Sequence, residues 1–439
     1  DPVKADPVKA GQGNAVHDRL RVTDPADWRR LADSWRRWAA WAGRMAGEFA
    51  ALLARVGAAW SGAAATAAAR QLDRLRHRLA VFRLVCWQAD QAISEFTAAL
   101  ERARALLSTD LAAALAVAGG ADAACAERLG RLTTAAAPPG AYRPACTAPP
   151  AEVSRWWAGL TPAQRQWLLA AEPGAIGSLD GVPAADRDAA NRLLLDEHRA
   201  GDRLRLIADR LADDTGPRAY LLRLDIAGEG QAVVALGDPD RAANVLTHVP
   251  GMTADLASLG GELARAERVA VRAGETGPTA ATSAVLWLGY DAPDFVHEAA
   301  SARQAEAGAP ALRRFQDGLR ASHEGPPARQ TVLGHSYGSL VVGTAAATPG
   351  LAADSVVFVG SPGVGVDSAS RLHVPGGEVW ASTSRTDVIQ YAALSPQSLV
   401  EKVTGPAPWL AFGRPGQALW FGHNPAGPEE GYLFWLTWF

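Results

Sequence analysis

Cysteine is scarce in this chain: Cys86, Cys125 and Cys146 are the three among 439 residues. So few cannot form the dense disulfide framework of a small secreted scaffold. Cys86 falls in an apolar helical stretch and reads as a core residue. Cys125 and Cys146 flank a Pro-rich segment, and their pairing stays open. Metal-binding spacings are missing too. Neither C-x-x-C nor H-E-x-x-H occurs, which argues against a structural or catalytic zinc, and no cofactor or metal is expected. Charge of one sign is not in excess, with 43 Lys+Arg against 46 Asp+Glu and a formal net charge of -3. Nucleic acid and anionic membrane surfaces are therefore disfavoured as partners. No apolar run reaches the roughly 18 residues a bilayer span needs, so no transmembrane segment is expected. There is also no basic segment followed by an apolar one, hence no expectation of a cleavable signal peptide. Localisation is left open between the cytoplasm and export without such a signal.

What the chain has is apolar content, 48% of its residues, over a length that calls for two or three domains. Residues 1-22 open with the polar tandem DPVKADPVKA and read as a flexible arm. Residues 23-133 are rich in Ala, Leu, Arg and Trp at helical spacing. Thr23-Asp24-Pro25 supplies a cap and a first-turn proline, and Trp28, Leu31, Trp35, Trp38, Trp41, Met45 and Phe49 form a stripe expected to pack on a partner helix. The pattern breaks at Gly57 to Gly62 and resumes from Ala63 to about Leu107, which predicts two antiparallel helices. With Trp60-Ser61-Gly62 between them, the segment resembles the WXG-type helical hairpins of actinobacterial type VII secretion substrates. That resemblance implies a helical protein partner or a role in export. Residues 134-153 form a Pro-rich linker.

From 154 onward the expectation is one domain with a helical lead-in over 154-215. Candidate strands are Tyr220 to Asp225, Gln231 to Leu236, Asn244 to His248, Ala284 to Leu288, Gln330 to Leu333, Ser355 to Val359 and Glu378 to Ser382. Helical patterns near 253-273, 294-321 and 338-348 alternate with them, which predicts an α/β fold with a mostly parallel sheet.

Gly334-His335-Ser336-Tyr337-Gly338 is a G-x-S-x-G pentapeptide between an apolar strand end and a small-residue helix start. That context makes Ser336 a candidate nucleophile on a strained strand-to-helix turn. In such a fold the backbone N–H of the next residue, Tyr337, and one from the loop after an earlier strand, here Val249-Pro250-Gly251-Met252, form the oxyanion hole; Met252 and Tyr337 are the candidates. The acid follows a later strand. Asp387 sits past Glu378 to Ser382, whereas Asp354 precedes a strand and Asp367 is a weaker competitor. The base should come after the acid, and of nine histidines only His423 does. His335 and His248 read as structural, and His373 is out of order.

The blocks GHSYGS (Gly334 to Ser339), VGSPGVGVD (Val359 to Asp367), WLGYDAP (Trp287 to Pro293), VPGM (Val249 to Met252) and IGSLDGVPAADRDAAN (Ile176 to Asn191) together resemble the actinobacterial α/β-hydrolase family long catalogued as a domain of unknown function. The resemblance implies an α/β-hydrolase fold and a Ser-Asp-His serine hydrolase acting on a small-molecule or lipid ester. It also implies a histidine in a Gly-His-x-x-Tyr-Phe type motif, which the ending GYLFWLTWF does not match. Two readings follow: His423 serves as the base, or the triad is incomplete. In the latter case the chain is a non-catalytic interaction protein or secretion-associated effector built on a degenerate hydrolase scaffold.

Overall fold

An aspartate and a proline start the first helix. In the computed structural model, which describes residues 20–383 apart from 141–142, 198–203, 214–215, 278–279, 295, 300, 348 and 375–376, Asp24 accepts a hydrogen bond from the Ala26 N–H at 2.9 Å and Pro25 occupies the first turn. Helix α1 (Pro25–Ala59) ends where Trp60 turns extended, and Gly62 at φ 105° lets the chain reverse into α2 (Ala63–Leu106). The two run antiparallel: Arg29 pairs with Glu101, Arg36 with Asp90 at 2.9 Å, and Trp28 meets Phe96 edge-on at 4.8 Å. The expected stripe packs in part: Trp28 and Trp35 lie against buried clusters, but the fully buried positions of the helix are alanines. Ala32, Ala39 and Ala42 are buried, while Leu31, Trp38 and Trp41 stay exposed. Small side chains at the seam let the two helix axes approach closely, which bulky indoles would prevent.

Asp110 caps α3 (Leu111–Gly130) through the Ala113 N–H at 2.9 Å. The lead-in comprises α4 (Pro150–Ala158), α5 (Pro162–Ala171), α6 (Pro173–Gly177), α7 (Ala184–Glu197) and α8 (Arg205–Ala212). Thr161 and Gln164 close a capping box at the start of α5. Ala39, Leu84, Cys86 and Trp87 of the first two helices form one apolar cluster with Val153, Trp157, Leu168 and Ile176 of the lead-in. Cys86, Cys125 and Cys146 are free thiols, and burial pushes the Cys86 thiol up to about 11.

The seven expected strands are all present: β1 (Ala219–Asp225), β2 (Gln231–Leu236), β3 (Asn244–Val249), β4 (Thr282–Leu288), β5 (Arg329–His335), β6 (Ser355–Val359) and β7 (Glu378–Ser382). They form one sheet in the order β1-β2-β4-β3-β5-β6-β7. The β1–β2 and β2–β4 pairs are antiparallel and the other four parallel. Helices α9 (Leu259–Thr276), α10 (Val296–Ala299), α11 (Arg303–Ser322) and α12 (Gly338–Ala346) make the crossovers. Residues 250–258, part of which reads as helical from sequence, form a loop ahead of α9. The strands read as near-continuous apolar runs because helices cover both faces.

The block Ile176 to Asn191 holds the lead-in on this sheet. Asn191 donates to the carbonyls of Gly177 at 3.0 Å and Leu221 at 2.9 Å, and Asp188 accepts from the Leu221 N–H at 2.8 Å. Among the described residues no helix is long and apolar enough to cross a membrane.

Candidate active site

Only two residues connect β5 to α12, so the chain must reverse within Ser336 and Tyr337. Ser336 takes φ 53°, a left-handed conformation costing a non-glycine residue about 1–2 kcal/mol. The turn is over-determined around it. The Ser336 N–H donates to the Val359 carbonyl at 2.9 Å, and the Ser339 hydroxyl donates to the Gly334 carbonyl at 2.9 Å. The second serine of GHSYGS is thus a buried brace for the first. The flanking glycines are required by contact: a Cβ on Gly334 would lie 2.7 Å from the Ser339 Cα, and one on Gly338 would lie 2.3 Å from the Val249 carbonyl oxygen.

Strand register brings the other loops here. Val249 of β3 pairs with Gly334 of β5, so the chain after Val249 emerges beside Ser336. Gly251 is so close that a Cβ on it would stand 2.6 Å from the Ser336 Cβ and 3.1 Å from its hydroxyl oxygen. Met252 follows, and Thr253 at φ 64° turns the loop away, its N–H donating to the Pro293 carbonyl at 2.9 Å. Tyr337 starts α12, its phenol donating to the Ser301 carbonyl at 2.6 Å and accepting from the Ala305 N–H at 3.3 Å. The amino end of α12 carries partial positive charge, which favours an anion next to Ser336.

Beneath the loop, fully buried His248 bonds through Nε2 to the Glu262 carboxylate at 2.8 Å, and the His335 ring lies 6.4 Å from the His248 ring. His248 therefore ties β3 to α9. Burial alone would raise the Glu262 carboxyl, but the hydrogen bond and charge of His248, with Arg265 and His335, outweigh it and hold it low. Glu262 was not picked out from sequence; its signal is an acidic residue in the first turn of the helix after VPGM.

The competing acids have other employment. Asp354 accepts from Arg320 at 2.5 Å and from the Gln330 N–H at 2.7 Å, at the amino end of β6 and away from Ser336. Asp367 is exposed beside Arg371 at 3.5 Å. Exposed His373 donates through its backbone N–H to Ala346 at the far end of α12. Ser382 of β7 pairs with Val359, which pairs with His335, so β7 ends level with the nucleophile turn. Asp387, five residues past that end, and His423 lie outside the described residues. Among the described residues no group of three or more His, Cys, Asp or Glu side chains is placed to hold a metal ion. The cleft of about 660 Å³ between α1–α3 and the sheet, lined by Glu95, Arg102, Arg128 and Asp238, also borders Gly237 and Thr282. Those residues mark the opposite ends of the strands from Ser336.

Sequence comparison agrees with this architecture. Residues 225–396 match an alpha/beta hydrolase family. The chain is 33% identical over 346 residues to Uncharacterized protein Rv2079 of Mycobacterium tuberculosis, a match covering 67% of this chain and 50% of the relative. It is 34% identical over 232 residues to Uncharacterized protein Rv0963c of M. tuberculosis and, equally, to Uncharacterized protein Mb0988c of Mycobacterium bovis, covering 50% of this chain and 78% of each. The chain thus spans about half the length of the first of these relatives. No solved structure matches it.

Proposed function

Since this chain belongs to the alpha/beta hydrolase family, we propose that it is a serine hydrolase cleaving a small-molecule or lipid ester through an acyl-enzyme on Ser336. What supports this above all is the strained turn: a serine at φ 53°, braced by Val359 and Ser339, with Gly251 packed against its Cβ. Such strain persists only where the surroundings enforce it, and the turn presents the hydroxyl at the carboxyl ends of the strands. In this reading the Ser336 oxygen attacks the acyl carbon while His423 takes its proton, with Asp387 orienting the imidazole. The N–H groups of Met252 and Tyr337 receive the negative charge that forms on the carbonyl oxygen, each contributing about 3–4 kcal/mol of barrier lowering. His423 then protonates the departing alkoxide, and water attack on the acyl-enzyme releases the acid and regenerates Ser336. No metal takes part.

The test is labelling of the purified chain with a fluorophosphonate probe. One adduct on Ser336, absent from Ser336→Ala, is the expected result. No labelling of the unmutated chain, or an adduct elsewhere, would overturn the proposal. Comparing His423→Ala with Ser336→Ala in ester hydrolysis decides the base: equal loss assigns it to His423, and unchanged slow turnover indicates an incomplete triad.

A further inference from the structure

We infer that Tyr290 is a positioning residue that sets the direction of the N–H groups in the loop over Ser336. The inference rests on the serine-hydrolase reading for its catalytic consequence, but its geometry is independent of it. Tyr290 lies two residues beyond β4, in the WLGYDAP block, with its side chain buried. Its hydroxyl donates to the Pro250 carbonyl at 2.8 Å and lies 3.4 Å from the Gly251 carbonyl. In a trans peptide the C=O and the following N–H point in opposite directions. With the carbonyls of Pro250 and Gly251 both turned to the phenol, the N–H groups of Gly251 and Met252 both turn away from it. Neither N–H donates to a protein acceptor among the described residues. Two successive N–H groups on one side of a turn make an anion-binding concavity, and Gly251 places that concavity against Ser336.

The phenol is itself held firmly. Its ring stacks between Trp287, centroids 6.1 Å apart, and Tyr337, 6.5 Å apart, with interplanar angles of 8° and 10°. Helix α11 closes on it so tightly that a Cβ on Gly308 would fall 2.7 Å from the Tyr290 Cβ. The same loop grips the far end of the VPGM turn through the Thr253 to Pro293 hydrogen bond at 2.9 Å. Burial, with Tyr337 and Glu262 nearby, pushes the phenol well above its ordinary range, so it stays a donor at working pH. Tyr290 thus bears on both residues proposed to hold the oxyanion: it bonds the carbonyls of the two residues ahead of Met252, and its ring stacks on that of Tyr337.

Tyr290→Phe removes the donor and keeps the ring, so two measurements on the full chain test the claim. Hydrogen exchange at the Thr253 amide, which donates to the Pro293 carbonyl at the end of this loop, is expected to quicken at least about 10-fold, because the carbonyl anchor of the loop is gone, while amides of β3 and β5 keep their rates. Ester kinetics are expected to show kcat lowered about 10- to 100-fold with KM within about 2-fold, below the loss from deleting an oxyanion donor outright. Affinity for a phenylboronic acid, which adds the serine oxygen to give a tetrahedral anion, should fall in step with kcat. Unchanged exchange at the Thr253 amide overturns the proposal. So does faster exchange throughout the sheet, which would mark Tyr290 as merely structural. A kcat and boronate affinity that hold while exchange quickens would overturn its catalytic consequence. If the unmutated chain neither labels nor turns over ester, the hydrolase reading fails by itself, and the exchange result alone decides what Tyr290 does.

Discussion

Ser336 combines a strained backbone with a hydroxyl proposed to be the nucleophile, and substitutions separate the two. Ser336→Ala should abolish labelling and leave the fold intact. Ser336→Gly should abolish labelling too, yet lose no stability in a denaturant titration: relief of about 1–2 kcal/mol of left-handed strain offsets the roughly 0.5–1 kcal/mol entropic cost of glycine. A clear fall in its unfolding midpoint would show that φ 53° is not strained here. Gly251→Ala tests the contact from the other side. Its Cβ would land 2.6 Å from the Ser336 Cβ and 2.9 Å from the His335 carbonyl oxygen, both fixed atoms, so the loop must retreat. Turnover should fall on the order of 100-fold, and a variant with undiminished kcat would contradict the packing. Glu262 supplies a pH test. Its carboxyl is held below the unfolded value of 4.5, so its contribution is present above about pH 4.5 and is lost as pH falls through the lower folded value. Stability against urea should therefore drop on acidification below that point, and Glu262→Gln should flatten this part of the profile. An unchanged slope would refute the linkage. The strained serine turn, its flanking glycines and the VPGM loop that packs on it were legible from residue type and order. Tyr290 and Glu262 were not, because their roles come from contacts across the fold.

At the level of elements, the joint between α2 and the sheet carries buried charge. Asp90 on α2 is fully buried between Arg36 and Arg218, while Arg218 also reaches Asp188 at 3.4 Å. Burial would raise the Asp90 carboxyl, but the two guanidinium groups prevail and keep it low. Gln91 adds hydrogen bonds to Ala185 and Asp188, both at 2.9 Å, and the Tyr220 hydroxyl donates to Glu95 at 2.7 Å. Asp90→Ala would leave Arg218, next to the start of β1, with Asp188 as its remaining carboxylate at 3.4 Å, at a cost of up to about 3–5 kcal/mol, because a buried charge that loses a partner is expensive. Chemical denaturation of that variant checks the figure, and a loss under about 1 kcal/mol would mean the site hydrates freely. The strands were readable element by element because continuous β-branched and apolar runs bounded by turn residues leave few alternatives. The buried face of α1 was only half legible: Trp28 and Trp35 pack inward as expected, whereas Leu31, Trp38 and Trp41 do not. Tryptophans dominate a hydrophobicity count, but the close approach to α2 selects the alanines between them.

Among the described residues the molecule is built on a seven-stranded sheet whose carboxyl edge carries the candidate site and whose first strand is bolted to the amino-terminal helices. Deleting residues 1–133 takes Asp90 from Arg218 and Glu95 from Tyr220 and uncovers the apolar surface of Val153, Trp157 and Leu168. The remainder should melt several degrees lower than the full chain, since each broken buried pair costs about 3–5 kcal/mol. An equal melting temperature would show that the helices are an independent module. By itself the sequence determined the strands and the strand-turn-helix around Ser336, because periodicity and backbone freedom are local properties written residue by residue. Only the tertiary structure decided that Tyr290 aims the VPGM loop, that His248 answers to Glu262 and that Asp90 clamps Arg218. Each of these joins groups between 14 and 128 positions apart, and strand register and helix packing, not spacing along the chain, bring such groups within hydrogen-bonding distance.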